Sequence, residues 1–206
     1  MVKYLIDDVD INSQYGITVL KPHGIYESPK LRHMKHVWPD KSGVDIDFNT
    51  VFYDEQDMIL ECIAIATTKA ILATNMDAFN LMFAEKGLMV LSVRDTFRRA
   101  YLVYREDEIK GTLHKASNGN YAFKFTLKLK VSNPAAFVIY LNLSYLTYTL
   151  AYNGPKGWLF WGDGVKLFID ADGNYEHTYT SLGFKEIIID IDGLTSENAS
   201  EYEPGP

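Results

Sequence analysis

The sequence has little cysteine and no excess of positive charge, and both features narrow the possible functions. Its 206 residues include one cysteine, Cys62, so no disulfide can form within the chain, and the apolar residues around it favour a buried thiol. The formal net charge is −7 at pH 7. Because nucleic-acid binding rests mainly on clustered Lys and Arg, we expect no DNA or RNA partner.

Long apolar segments are also missing. The longest candidate, 135–152, is interrupted by Asn, Ser, Thr and Tyr, whereas a membrane helix needs about 20 predominantly apolar residues. The first residues do not combine a basic segment, an apolar segment and a small-residue cleavage site, so we expect no signal peptide. The sequence therefore predicts a soluble protein without membrane insertion.

The usual motifs of catalysis are absent from the sequence. It has no Ser-His-Asp order with a nucleophile elbow, no glycine-rich phosphate loop with Lys, and no Cys/His zinc spacing. We therefore expect no enzyme, no cofactor and no metal. The paired carboxylates of a glycosidase meet in space rather than in sequence, so a glycan-processing enzyme stays open as the weaker alternative.

Aromatic residues in alternating patterns indicate a mainly β protein. They make up 14% of the chain, and pleated, half-buried surfaces favour them. The run 58–67 is typical of a buried central strand, and Asn118-Gly119 predicts a hairpin before a strand at 120–131. Other strands are predicted at 4–6, 16–20, 88–93, 98–105, 108–115, 137–143, 145–152, 158–161, 166–169, 174–180 and 185–191.

One helix interrupts the strands. The segment Thr74-Asn75-Met76-Asp77 fits a capping box, and apolar residues recur at helical spacing from Met76 to Phe83. Lys86-Gly87 is typical of a helix end.

The chain divides into two domains and a tail. Pro134 follows Ser132-Asn133 directly after the long strand, and the composition then changes from Lys-rich strands to Tyr, Thr and Asn. We predict a first domain at 1–133 and a small β-sandwich of the immunoglobulin-like kind at 134–196. Residues 197–206 are polar, acidic and end in Pro, so we expect a flexible tail.

The first domain combines its element order with several short sequences: Gly16-Ile17-Thr18-Val19, Trp38 and Gly43, the helix end at 79–87, and Tyr101-Leu102-Val103-Tyr104. In these features it resembles the N-terminal domain of siphophage distal tail proteins. The resemblance implies a split-barrel or β-sandwich core with one packed helix. It also implies a six-fold ring of copies in the virion tail of a phage or prophage, in contact with other tail proteins. Open sheet edges would supply a means of assembly, because they pair with a neighbouring copy.

Three short sequences follow one another in the second domain: Trp161-Gly162-Asp163-Gly164, His177-Thr178-Tyr179 and the strand 182–189. In this order they resemble a PKD-type (polycystic-kidney-disease-type) β-sandwich, and the resemblance implies a spacer or adhesion module. Gly162 and Gly164 permit left-handed turn dihedrals, and Asp163 can accept backbone N–H bonds. We therefore expect Trp161, His177, Tyr179 and the turn itself to shape the fold rather than bind a ligand.

Three aromatic residues are candidates for sugar stacking. Trp158, Tyr152 and Tyr175 present ring faces of the kind that pack on apolar ligand surfaces. They support the main alternative function, a carbohydrate-binding or adhesion protein with a host-surface glycan as its partner.

Two segments contain residues that could bind a metal ion, but a structural role is the expected interpretation of both. His33, His36 and Asp40 have ligand chemistry, but Arg32 and Lys35 disfavour a cation beside them, so surface histidines are expected. Asp170-Ala171-Asp172-Gly173-Asn174 lacks the third acidic position and the distal Glu of a calcium loop. A turn is expected there, and calcium stays possible only where Asp163 and Asp172 meet in space.

A basic cluster lies at 94–99. A solvated loop is the expected interpretation of Arg94, Arg98 and Arg99. The alternative is a contact with acidic residues of a neighbouring copy, either 54–55 or 106–108.

Overall fold

The computed structural model describes residues 2–36, 45–96, 98–115, 119–190 and 199–202, and in residues 33–36, 45–51 and 199–202 it describes the backbone alone. These ranges are mostly β-strand, which confirms the predicted mainly β fold class with a packed helix. The predicted motif residues Trp38, Gly43 and Asn118 lie outside the described residues.

Seventeen strands and two helices follow one another along the described chain. In chain order they are β1 (Lys3–Ile6), β2 (Val9–Asp10), α1 (Ile11–Tyr15), β3 (Ile17–His23), β4 (Leu31–His36), β5 (Asp45–Tyr53), β6 (Gln56–Ala66), α2 (Lys69–Lys86), β7 (Met89–Arg94), β8 (Arg99–Arg105), β9 (Lys110–Lys115), β10 (Tyr121–Val131), β11 (Phe137–Leu143), β12 (Thr147–Tyr152), β13 (Gly157–Phe160), β14 (Lys166–Ile169), β15 (Gly173–Thr178), β16 (Gly183–Asp190) and β17 (Ala199–Tyr202).

An eight-stranded sheet forms the first unit of the molecule, which comprises β1 to β10 without the separate pair β4–β5. Its order is β2-β1-β7-β8-β10-β6-β3, and β9 also pairs with β10. Strand β6 lies between β10 and β3, which confirms the predicted central strand. The antiparallel pairing of β9 with β10 confirms the predicted hairpin.

Helix α2 packs on this sheet and starts earlier than the sequence predicted. Thr68 caps it, because its side-chain oxygen accepts a hydrogen bond from the backbone N–H of Ile71 at 3.2 Å. The predicted start at Thr74 is therefore wrong. Leu72 is buried one turn before Met76 and extends the apolar face towards the N-terminus, and no helix breaker lies between Thr68 and Thr74.

The short helix α1 was not predicted from the sequence. Asp10 caps it through bonds from the backbone N–H groups of Asn12 (2.9 Å) and Ser13 (3.4 Å), and it ends at Gly16, whose φ is +69°. A Cβ on Gly16 would lie 2.7 Å from the Ile65 carbonyl oxygen. Helix α1 links β2 to β3, which are the two ends of the sheet order.

Two smaller sheets form the second unit, which comprises β11 to β17. Their orders are β11-β16-β13-β14 and β15-β12-β17, and their facing side chains enclose a separate apolar core. Strand β17 lies in the segment expected to be a flexible tail, yet it pairs with β12 from Thr149 to Tyr152. That expectation is wrong for Ala199–Tyr202, because β12 offers them an open edge on which to form backbone hydrogen bonds.

The units share an apolar cluster that neither completes alone. Val90, Ala100 and Leu102 of the first unit pack there with Phe160 and Ile188 of the second. The four-stranded sheet therefore covers β7 and β8 with its outer face.

Strands β4 and β5 pair only with each other among the described strands and form a hairpin, here called the arm. Its base is closed by a hydrogen bond from the Asp54 N–H to the Lys30 carbonyl at 3.0 Å. Neither described helix combines the length and apolar character needed to span a bilayer.

Candidate functional site

A cluster of charged side chains joins the two units, and we call it the joint: Asp7, Asp8, Lys86, Arg94, Lys185 and Glu186. Asp7, Lys185 and Glu186 are buried. At its centre, Arg94 on β7 donates to Glu186 on β16 through Nε (2.9 Å) and Nη2 (2.7 Å). Ser92 donates a third bond to Glu186 at 3.0 Å. Glu186 is only 3% exposed. Such a bidentate pair fixes geometry as well as charge.

Arg94 also bonds the turn between β1 and β2. Its Nη2 donates to Asp8 at 3.1 Å. Burial disfavours the guanidinium charge, but the bonds and charges of Glu186 and Asp8 outweigh it and raise the pKa of Arg94. Lys185, itself buried, donates to the second oxygen of Asp8. One side chain of the first unit and one of the second therefore share Asp8.

Asp7 completes the joint from the first unit. Its Oδ1 accepts from the Val90 N–H at 2.9 Å, and its Oδ2 accepts from Lys86 at 3.1 Å. Asp7 and Asp8 both have positive φ, 49° and 64°, which non-glycine residues adopt mainly when they are Asn or Asp. The only sequence signal for this site is the acidic pair itself after an apolar strand.

The basic cluster at 94–99 is not a solvated loop, and that prediction is wrong for all three arginines. Arg94 belongs to the joint. Arg98 stacks over Phe184 at 3.3 Å and Arg99 over Tyr26 at 5.0 Å. Aromatic rings and buried carboxylates of the same chain hold these cations, because both attract a weakly hydrated guanidinium.

Local hydrogen bonds hold the turn at Trp161-Gly162-Asp163-Gly164. The backbone N–H of Trp161 bonds the Val165 carbonyl at 3.0 Å, and Asp163 Oδ1 accepts from the Val165 N–H at 3.1 Å. Asp163 Oδ2 lies 2.7 Å from His177 Nε2, and the His177 ring stacks on Trp161 with centroids 4.9 Å apart.

Tyr179 belongs to the same group of packed residues. Its hydroxyl donates to the Trp161 carbonyl at 3.0 Å, and burial raises the pKa of this phenol. The sequence motifs therefore meet in space as one packed unit. They also touch the joint, since a Cβ on Gly162 would lie 2.2 Å from the Glu186 carbonyl oxygen and one on Gly164 would lie 2.8 Å from Lys86 Nζ.

The three predicted stacking residues do not form one platform. Tyr152 is 3% exposed and its hydroxyl donates to the Pro155 carbonyl, so it is a core residue and its predicted stacking role is wrong. Tyr175 packs against Tyr152 with centroids 6.5 Å apart, in the three-stranded sheet. Trp158 lies in the other sheet and is 43% exposed.

The candidate metal residues have other partners or lie outside the described residues. The side chains of His33 and His36 and all of Asp40 lie outside the described residues. Asp172 accepts from the Gly154 N–H at 3.2 Å, whereas Asp163 bonds His177. Within the described ranges, no three His, Cys, Asp or Glu side chains are placed to hold a metal ion.

A groove of about 760 Å³ crosses the outer face of β3, β6, β9 and β10. Three carboxylates line it: Glu61 lies 3.4 Å from His23, Asp57 lies 3.8 Å from Lys130, and Glu27 accepts a hydrogen bond from the Gly24 N–H at 3.2 Å. Cys62 also borders the groove, but burial raises the pKa of its thiol to about 12.

A solved structure has a fold similar to that of this chain. The chain is similar to the crystal structure of SPP1 Dit (gp 19.1), described as a paradigm of the hub adsorption apparatus in phages that infect Gram-positive bacteria. The TM-score is 0.50 at 12% sequence identity, over 92% of this chain and 97% of that chain. The chain has the fold of SPP1 Dit. No protein-family model and no curated protein matches the sequence.

The likeness to SPP1 Dit bears on the second unit as well as the first. Because it covers 92% of this chain, it extends well into the strands after residue 133. It supports a Dit-like fold and gives no support to a PKD-type module at the C-terminal end.

The arm and the acidic residues beside it are the remaining candidate contact surface. Leu31, Phe52 and Tyr53 at the arm's base are all exposed. Nearby, Asp54 pairs weakly with Arg32 at 3.8 Å, and Glu55 accepts from the Tyr104 hydroxyl at 2.9 Å. The acids proposed to meet a neighbour's arginines thus have partners within the chain.

Proposed function

We propose that this chain is a structural component of a phage or prophage tail, a distal tail hub that assembles as a ring and presents its second unit outwards. The observation that carries the proposal is the likeness to SPP1 Dit over nearly the whole length of both chains. On this proposal the protein is located in the virion tail. Its partners are copies of itself, six by resemblance, and other tail proteins.

The arm is the best candidate for the contact between copies. It extends from the first unit as a separate two-stranded sheet and exposes Leu31, Phe52 and Tyr53. Large apolar side chains that cluster at the surface are typical of protein contact sites. A stable ring contact buries on the order of 1,000 Å² or more, and the arm is proposed to contribute to that area.

The sheet edges of the first unit are less suitable for the contact than the sequence suggested. Edge strand β3 contains Pro22, which has no N–H to donate, and its register with β6 shifts between Val19 and Lys21. Edge strand β9 carries Lys110 and Lys115, and all its residues are exposed. Both edges have the features by which proteins prevent sheet extension.

Sedimentation analysis tests the ring. The wild-type chain is expected to form an oligomer of six copies as concentration rises. The double variant Leu31→Ser, Phe52→Ser is expected to remain monomeric, because it removes two apolar contacts of the arm. Leu81→Ser, which alters an equally exposed leucine on α2, is the matched control and is expected to assemble normally. A wild-type chain that stays monomeric at all concentrations contradicts the ring.

Carbohydrate binding is the second candidate function, and the exposed ring of Trp158 is the observation that favours it. Phe168 packs edge-on against Trp158 with centroids 5.3 Å apart, and Lys166 Nζ lies 5.8 Å from the Trp158 centroid. A glycan array with Trp158→Ala as control tests it. Array signals that the variant keeps would exclude this surface.

A further inference from the structure

The free edge of β14 has backbone groups ready to pair with another strand. Strand β14 ends the order of the four-stranded sheet and pairs only with β13 among the described strands. The bond from the Trp161 N–H to the Val165 carbonyl at 3.0 Å shows that the backbone of Val165 is directed towards β13. Because hydrogen-bonded positions recur every second residue in an antiparallel pair, Leu167 also bonds towards β13. The N–H and C=O groups of Lys166 and Phe168 therefore point away from the sheet.

Apolar side chains are exposed on both faces of this edge. Val165 and Leu167 lie on one face, and Phe168 lies on the other beside its cross-strand partner Trp158. All four are exposed. A sugar ring stacks on one face only. A strand that adds to the edge covers both faces and satisfies the backbone, so it fits the surface better.

Three other sheet edges of the described chain carry features that oppose strand addition, and β11, at the far end of the same sheet, exposes one large apolar side chain against two on β14. Strand β3 has Pro22, β9 has two lysines, and β15 has Glu176 and His177. Strand β14 has one charge, Lys166, which contacts Trp158. Exposed apolar edges of this kind are avoided in monomeric proteins unless something pairs with them.

We propose that the free edge of β14 binds an extended peptide segment of another protein, which adds as a fifth strand to the sheet. The segment is apolar on both faces and carries an acidic residue opposite Lys166. Lys166 has no ion pair within the described part of the chain, so a carboxylate across the new strand pair complements its charge. The site lies on the second unit and does not depend on ring formation.

NMR titration of the full chain with a designed peptide tests this proposal. The probe is acetyl-Thr-Tyr-Val-Glu-Val-Thr-amide, and its control has Lys in place of Glu. In the wild-type chain, the probe is expected to shift the amide signals of Lys166 and Phe168 and to leave those of β15 unchanged. The control peptide is expected to bind several-fold more weakly because its lysine faces Lys166.

Two variants separate backbone pairing from side-chain contact. Lys166→Pro removes the outward N–H and leaves the bonds to β13 intact, which an edge strand tolerates. It is expected to lose about tenfold in affinity or more, because a partner carbonyl is left unpaired. Lys166→Thr keeps the N–H and is expected to bind the two peptides about equally, without losing the site.

The opposite outcomes overturn the proposal. Unshifted Lys166 and Phe168 signals in the wild-type chain would show that the edge does not pair, whatever the variants do. Equal binding by Lys166→Pro would show that the backbone is not used. Self-association that Lys166→Pro abolishes would assign the edge to a second copy, and a glycan signal that Trp158→Ala abolishes would assign the surface to a sugar.

Discussion

Gly162 has no room for a side chain, because the turn around it lies directly against β16. Its φ is +86°, and an added Cβ would lie 2.2 Å from the Glu186 carbonyl oxygen. Gly162→Ala is therefore expected to lower the free energy of unfolding by about 2 kcal/mol or more, since it combines backbone strain with a backbone clash. Urea denaturation measures the change.

Gly173→Ala is the matched control for that prediction. Gly173 lies in a strand of the same unit, and an added Cβ would meet nothing within 4 Å. It is expected to change stability by less than about 1 kcal/mol. Equal losses in both variants would mean that the approach of Gly162 to β16 does not restrict this turn.

Glu186 shows why a buried charge of the joint matters more than an exposed one. Glu186→Gln leaves the Arg94 guanidinium without its main counter-charge in a buried site. We expect a loss of about 3 kcal/mol in the free energy of unfolding. Glu61→Gln breaks an exposed pair with His23 and is expected to cost less than about 1 kcal/mol. Thermal and urea unfolding of both variants decide between them.

At the residue scale, the sequence can be interpreted where a motif is local, but it does not reveal partners that are distant along the chain. Residues 161–164 lie next to one another, so the turn chemistry of the two glycines and Asp163 was readable. Arg94 and Glu186 are 92 positions apart, and a basic cluster at 94–99 has the same pattern whether it faces water or a buried acid. Only the packing of the two units distinguishes the cases.

At the scale of elements, the start of α2 was mispredicted because the sequence contains two candidate N-cap residues. Both Thr68 and Thr74 stand before apolar residues at helical spacing, but only Thr68 receives the bond from Ile71. Thr68→Ala is expected to destabilise the protein by about 1 kcal/mol. Thr74→Ala lies within the helix on its exposed side and is expected to be neutral or slightly stabilising, because Ala has the higher helix propensity. The reverse order of melting temperatures would contradict this assignment.

Strand positions were more predictable than strand partners. Alternation in β10 and the apolar run of β6 mark these strands locally, whereas the pairing of β17 with β12 depends on an edge that forms only when the sandwich assembles. Five-residue α1 is too short to show helical periodicity, and its Asp10 cap resembles the other acidic residues around it. Long elements with repeated side-chain contacts were therefore predicted, and short ones were not.

At the scale of the whole molecule, we expect the shared apolar cluster and the joint to make the two units unfold together. Phe160 links the two units, because it belongs to the second unit and packs with Val90 and Leu102 of the first. In wild type, far-UV circular dichroism, which follows α2, and fluorescence of Trp158 and Trp161 in a Trp38→Phe background are expected to give coincident urea transitions.

Phe160→Ala is expected to separate those transitions. It removes the largest apolar side chain of the shared cluster and costs about 3 kcal/mol or more, and that loss falls on the contact between the units rather than on either separate core. Phe168→Ala, on the same sheet face but exposed, is the matched control and is expected to keep one transition. If the Phe160→Ala transitions still coincide, the joint alone couples the units, and adding Glu186→Gln is then expected to separate them.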